Sequence, residues 1–281
     1  MIVVDNGSTD CTREILESFR STLPLTYVLE ERPGKNVALN AGLAHLEGDL
    51  AVFTDDDVFP RTDWLVRLRT AADTHPSYSM FGGVVLPRWE GTPPYWVKWV
   101  DMQTAFAITD PSVMEGPTQP WRLFGPNMAI RAEVFKVGTR FNTSIGPCGN
   151  DYAMGSETEL VVRLGQQGHK AWHVQDAVVE HFIRQYQMDK SWVLGRATRF
   201  GRGRFRIWEP DTVFSCWRGM PLYLFPKLFK KGIKTVKAWL SFNERAVLTA
   251  RWEFNFFWGH IIEARAIRRK RYARSNGDME G

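Results

Sequence analysis

Three consecutive aspartates, Asp55, Asp56 and Asp57, follow the apolar run Leu50-Ala51-Val52-Phe53 with only Thr54 between. Carboxylates crowded at the end of a buried strand are costly unless solvent or a cation balances them. In extended backbone, residues two apart project to one side, so Asp55 and Asp57 can face one hard cation while Asp56 points elsewhere. One or two carboxylates completed by phosphate oxygens is the usual shell of Mg²⁺ or Mn²⁺ bound with a nucleotide. A solvated acidic loop would read the same way from these residues alone. A second acidic loop, Asp5-Asn6-Gly7-Ser8-Thr9-Asp10, follows the short apolar run Ile2-Val3-Val4 and is built of turn and capping residues.

Such loops need a scaffold, and the apolar pattern supplies one. Strands are predicted over residues 2–4, 27–29, 50–53, 80–86, 127–130 and 173–182. Helices are predicted around Ile15, Leu16 and Phe19, over 36–46, from Pro60 through Leu68, briefly from Ala132, and over 157–166 and 191–200. Strands alternating with helices indicate an α/β fold with a mostly parallel sheet flanked by helices. Such sheets bind ligands at the carboxyl ends of their strands, where both acidic loops would lie. Residues 88–121 are rich in Pro, Gly and Trp without periodicity and read as an irregular insertion. The expected organisation is one domain over 1–205 and a helical, basic and aromatic extension over 206–281.

Three segments sharpen this reading: Val3-Val4-Asp5-Asn6-Gly7-Ser8-Thr9-Asp10, Gly34-Lys35-Asn36-Val37-Ala38-Leu39-Asn40-Ala41-Gly42, and Gly48-Asp49-Leu50-Ala51-Val52-Phe53-Thr54-Asp55-Asp56-Asp57. In this order and spacing they resemble the nucleotide-binding half of family 2 glycosyltransferases, with their GT-A fold and DxD motif. The resemblance runs from Ile2 to about Gly203. It implies that Asp5 recognises the nucleotide base, that Lys35 and Asn36 contact the base or its phosphates, and that Asp55, Asp56 and Asp57 meet the ribose and a metal-bound diphosphate. Gly155-Ser156-Glu157-Thr158-Glu159-Leu160 is similar to the family's acidic helix start. Glu157 then stands where the acceptor is deprotonated, with Glu159 as the alternate. His181 would complete the metal shell with Asp57, Asn127 would bind the donor sugar, and Arg199 or Arg202 would bind phosphate. Structural roles are available to each: turn or helix caps for Asp5 and Asn36, a solvated Lys35, and dipole-favouring glutamates. Family members open with a further strand and helix before the segment matching Ile2, so the resemblance implies a start upstream of Met1 and an exposed edge beside the Asp5 strand.

The implied activity is inverting transfer of a sugar from a nucleoside diphosphate, with a uridine donor and Mn²⁺ or Mg²⁺, to a saccharide or lipid-linked acceptor. The alternative is a non-catalytic nucleotide-sugar binder or a truncated inactive relative. Nucleotidyltransferases of related fold carry a Gly-rich triphosphate loop near their start, and none is present here.

Composition bounds these expectations. Hydrophobic residues are 44% and charged residues 24%, as in an ordinary globular chain. The three cysteines are widely spaced and suggest neither a disulfide framework nor a zinc site. The expected compartment is the cytoplasm, with contact at the inner face of a membrane left open. Net charge is +5, and arginines cluster at 196–206 and 265–274. No nucleic-acid motif accompanies them, so a nucleic-acid partner is not expected. An anionic membrane surface and a solvated tail both fit, and the aromatic segment 252–258 fits either a membrane interface or packing on its own chain.

Overall fold

The computed structural model describes residues 1–149, 152–208, 216–217 and 220–277, with side chains given to Arg269. In chain order the elements are β1 (Ile2–Asp5), α1 (Thr12–Phe19), β2 (Thr26–Leu29), α2 (Lys35–Leu43), β3 (Leu50–Phe53), β4 (Val58–Pro60), α3 (Trp64–Thr74), β5 (Met80–Trp89), α4 (Met102–Phe106), β6 (Gly116–Thr118), β7 (Met128–Arg131), α5 (Glu133–Lys136), α6 (Ser156–Gln166), β8 (Ala171–Ile183), α7 (Lys190–Trp208), β9 (Cys216–Trp217), β10 (Met220–Pro221), α8 (Leu224–Leu240) and α9 (Glu244–Gly277). Two compact units divide them. One comprises Met1–Pro87, Ala107–Tyr152 and Ser156–Phe182; the other comprises Arg88–Phe106, Ala153–Gly155 and Ile183–Gly281.

In the first unit β1 pairs with β2 in parallel, Asp5 opposite Leu29. A six-stranded sheet has the order β3-β7-β5-β8-β4, with β6 added on β8. Mostly parallel pairing holds for β1 and β2 but not here: β3 with β7, β5 with β7, β4 with β8 and β6 with β8 are antiparallel. The α/β class stands, with antiparallel pairing among these strands, which lie far apart in the chain: β3 ends at Phe53 opposite Met128, where β7 begins. Ala51 faces Ile130 and Phe53 faces Met128, so β3 ends where the aspartate loop begins.

The core beneath that loop is apolar and interlocked. Met80, Leu123, Met128, Ile130, Leu160 and Leu164 are buried together, and Phe53 meets Phe135 and Phe141 edge-on at 5.9 and 5.4 Å. Leu160 and Leu164 share one face of α6, and Glu157 and Glu159 sit in its first turn, where the helix dipole favours negative charge. Pro60 does not open a helix as predicted. It closes β4 opposite Val179, and α3 begins at Trp64.

The second unit is mainly helical. The expected boundary after residue 205 falls inside α7, which packs with α9 and belongs to this unit, as does part of the irregular insertion. The predicted stop near Gly201 fails for a packing reason. A Cβ at Gly201 would overlap the Phe256 carbonyl of α9, and one at Gly259 would overlap the Thr198 carbonyl of α7. These glycines let two helix backbones touch, so α7 runs on to Trp208. Arg202 and Arg206 then reach the fully buried Glu263; Arg202 Nε donates to Glu263 Oε2 at 2.9 Å. Phe205, Leu224 and Ile261 form the apolar core of this unit. Residues 252–257 are half-buried in it and Trp258 is exposed, Phe256 lying 5.5 Å from Phe200. No described helix is long and apolar enough to cross a membrane.

Candidate functional site

Four chain segments of the first unit converge beyond the end of β3. Lys35, first residue of α2, donates from Nζ to Asp55 Oδ1 at 2.7 Å and lies 2.6 Å from Glu157 Oε1. All three side chains are half-buried. Burial alone would lower the Lys35 pKa, yet the Glu157 and Asp55 carboxylates outweigh it and raise the value. Asp55 is shifted up, chiefly by desolvation, against the opposing pull of Lys35. Glu157 fits because Gly125 stands beside it; a Cβ there would overlap its carboxyl group. The room left by the missing Cβ at Gly125 is taken by this side chain. Thr54 Oγ1 donates to the Pro126 carbonyl at 3.1 Å and ties the aspartate loop to the same segment.

Asp57 and His181 form the second half of the site. Val58 pairs with His181 across β4 and β8, and Phe182 N donates to the Asp57 carbonyl at 2.8 Å. This register places His181 Nε2 3.5 Å from Asp57 Oδ2. Burial pushes the Asp57 pKa up, but hydrogen bonding and charge from His181 prevail and it is lowered. Asp57 Oδ1 is buried with no hydrogen-bond partner among the described residues. An orphaned carboxylate oxygen beside an imidazole suits a divalent cation that takes its remaining ligands from phosphate or water. No group of three or more His, Cys, Asp or Glu suited to a metal occurs among the described residues. Asp56 is exposed, whereas Asp55 and Asp57 are half-buried, in keeping with the alternation expected of the triplet.

The remaining sequence-predicted residues have mainly structural partners. Asp5 is buried; Oδ1 accepts from Ser8 N at 2.8 Å and Oδ2 from Tyr27 Oη at 2.9 Å, and its pKa is lowered, foremost by the Ser8 amide. Its neighbour Asn6, which the sequence did not single out, accepts from Gly34 N and donates to the Glu30 and Arg32 carbonyls. That clamp fixes the turn before Lys35, where Gly34 has φ of 130°. Asn36 donates to the carbonyls of Asn142 and Ile145 at 2.7 and 2.9 Å and braces a loop from the buried start of α2.

Asn127 has structural partners at both ends of its side chain. A sugar contact was expected, but the side chain is wholly buried. Its Oδ1 accepts from Trp64 Nε1 at 2.8 Å, and its Nδ2 donates to the carbonyls of Val84 and Ala177. A buried amide with both ends satisfied in this way is part of the core. Glu159 pairs with Arg163 at 2.8 Å on the helix surface, so Glu157 is the carboxylate turned to Lys35. Arg202 is held by Glu263, and Arg199 lies 6.0 Å from the Trp192 ring; neither lies in the unit that holds the aspartates.

Residues 1–138 match the profile described as Glycosyl transferase family 2. They belong to that family. The match covers α2, the aspartate loop and Gly125, and ends before Glu157. Among relatives, Glycosyltransferase AglE of Haloferax volcanii is 24% identical over 219 residues, 76% of this chain and 65% of that protein. Succinoglycan biosynthesis protein ExoM of Rhizobium meliloti is 25% identical over 222 residues, 74% of this chain and 64% of that protein. The matches thus span a little under two thirds of either relative's length. Among solved structures, the mannosyltransferase PcManGT from Pyrobaculum calidifontis, in complex with GDP-Man and Mn²⁺, superposes with a TM-score of 0.54 at 21% identity. That match covers 97% of this chain and 65% of the other, and it shows a shared fold, GT-A. Beyond the family segment, this chain carries α7, α8 and α9 of the second unit.

Proposed function

We propose that the chain is a metal-dependent inverting glycosyltransferase acting on a nucleoside diphosphate sugar. The observation that carries this reading is the Lys35 ammonium held between Asp55 and Glu157, in a unit that also leaves Asp57 Oδ1 buried and unsatisfied beside His181. Asp57 and His181 would hold Mn²⁺ or Mg²⁺, which when bound supplies positive charge to the departing diphosphate. Asp55 and Lys35 orient the donor, Lys35 offering its charge to phosphate oxygens, while exposed Asp56 and the Asp5 loop border the nucleotide. Glu157 takes the proton of the acceptor hydroxyl as that oxygen bonds to the anomeric carbon. The bond from that carbon to the β-phosphate oxygen breaks, and the diphosphate leaves with the electron pair. The donors to test first are uridine diphosphate sugars and, from the structural likeness, GDP-mannose; the acceptor is a saccharide or a lipid-linked saccharide.

The fold likeness, the family segment and the two curated relatives support the transferase reading. A second reading, a nucleotide-sugar binder without turnover, follows from the same contact, since Lys35 occupies the carboxylate needed as base. Calorimetry with UDP or GDP and Mn²⁺, followed by a transfer assay, separates them. Asp57→Ala is expected to remove metal-dependent nucleotide binding and to lower transfer by about 10³-fold or more, the scale of metal-stabilised charge. Glu157→Gln is expected to keep nucleotide binding and lower transfer by about 10²–10⁴-fold, the usual contribution of a general base. Full transfer in either variant removes that residue from its role; binding without transfer in the parent protein leaves the second reading.

A further inference from the structure

We propose that the outward face of α8 docks on an anionic lipid bilayer. The helix carries five lysines and no acidic residue over its 17 positions, a length of roughly 25 Å. Three stripes run along it. Leu224 and Ala238 are buried and Thr235 half-buried, its hydroxyl 3.3 Å from the Ala250 carbonyl, so this stripe faces α9. Phe229, Ile233, Val236 and Leu240 recur at the spacing of a single helix face, and every one is exposed. Lys230, Lys234 and Lys237 follow the same spacing one position on and flank the apolar row.

The end of the helix extends this surface. Trp239 is 68% exposed, and Phe242, in the turn to α9, is 94% exposed with φ of 53°. A non-glycine residue in the left-handed region is uncommon, and here it turns an aromatic ring into solvent. Beside the turn, a cavity of about 500 Å³ is lined in part by Lys234, Lys237 and Arg245. Lys234 also pairs with Glu253 at 2.8 Å. An apolar row rimmed by cations and ending in Trp and Phe is what a helix lying in a membrane interface presents, its rings at headgroup depth and its lysines on anionic phosphates. A second copy is disfavoured, because pairing two such helices would bring two sets of lysines together with no acidic residue on either helix to balance them. The inference does not depend on the transferase reading.

The test is flotation of the full chain with vesicles of phosphatidylcholine alone and of phosphatidylcholine containing about 30% phosphatidylglycerol. The expected result is binding to the anionic vesicles, weaker binding to neutral ones, and release by salt. The combined variant Phe229→Ser, Trp239→Ser, Phe242→Ser is expected to reduce anionic-vesicle binding by about 10-fold or more. Lys230→Glu with Lys237→Glu is expected to abolish the preference for anionic lipid. No flotation with either vesicle, equal binding to both, or unchanged binding of the apolar variant overturns the proposal. Light scattering that finds a dimer in the parent and a monomer in the apolar variant assigns the face to a second copy and also overturns it. Nucleotide binding by the same variants, expected to be unchanged, keeps failure of docking distinct from failure of the proposed activity.

Discussion

Lys35 lies between two carboxylates, Asp55 and Glu157, whereas Glu263 lies between two guanidinium groups, Arg202 and Arg206. Each cluster has one charge flanked by two of the opposite sign. They differ in exposure. The Lys35 cluster is half-open to solvent, while Glu263 has no exposed surface. In the open cluster a ligand can replace one partner, and the carboxyl of Asp55, raised by burial, records that its ionisation is not fully compensated. In the closed cluster nothing can enter, and the charges hold α7 to α9. The same arithmetic of charge therefore leaves a solvent-accessible cluster in one unit and a fastening in the other.

Removing the central charge of the closed cluster is the severest way to break the comparison. Glu263→Ala leaves two arginines without their buried partner and is expected to cost about 3–5 kcal/mol of stability, read from denaturant unfolding. An unchanged midpoint would show that water reaches those arginines and that the clusters are alike. A smaller effect is expected at the open cluster from Gly125→Ala. The added methyl displaces the Glu157 carboxyl, and transfer should fall by roughly 10²-fold, the loss that accompanies misplacement by about 1 Å, with nucleotide binding retained. The smallest effect is on the stability of Asp55→Asn. A carboxyl whose pKa is raised by folding contributes stability that is complete below its unfolded pKa and is lost as pH rises through the folded value. Relief of that loss predicts a slightly higher melting temperature for the variant above about pH 4 and equality with the parent below it. A lower melting temperature at neutral pH would mean that the Lys35 pairing outweighs desolvation.

The open cluster was legible in part. Apolar runs ending in Asp and Asn marked β1 and β3, because a strand leaving the core must end in residues that accept water or caps. The alternating exposure of Asp55, Asp56 and Asp57 matches the alternation expected of the triplet, while Glu157 was singled out by the family resemblance. The meeting of Lys35 with Glu157 was not legible, since those residues are far apart in sequence and only the packed sheet brings them together. The partners of Asn127 were hidden for a related reason: Trp64, Val84 and Ala177, which satisfy its side chain, are distant in sequence. The closed cluster was hidden by its glycines. Gly201 and Gly203 signal a helix end on local propensity, yet tertiary contact requires them inside α7, and Arg202, one of the two arginines read as a phosphate contact, is turned to Glu263.

The crossing of α7 and α9 carries a dynamic consequence. Where Gly201 meets Phe256 and Gly259 meets Thr198, main chain rests on main chain, and no flexible side chain lies between to absorb sliding. Neither helix can then loosen over this stretch while the other stays whole. Their central amides should exchange with solvent at one common rate, as a single opening unit, while the exposed turn around Phe242 exchanges long before them.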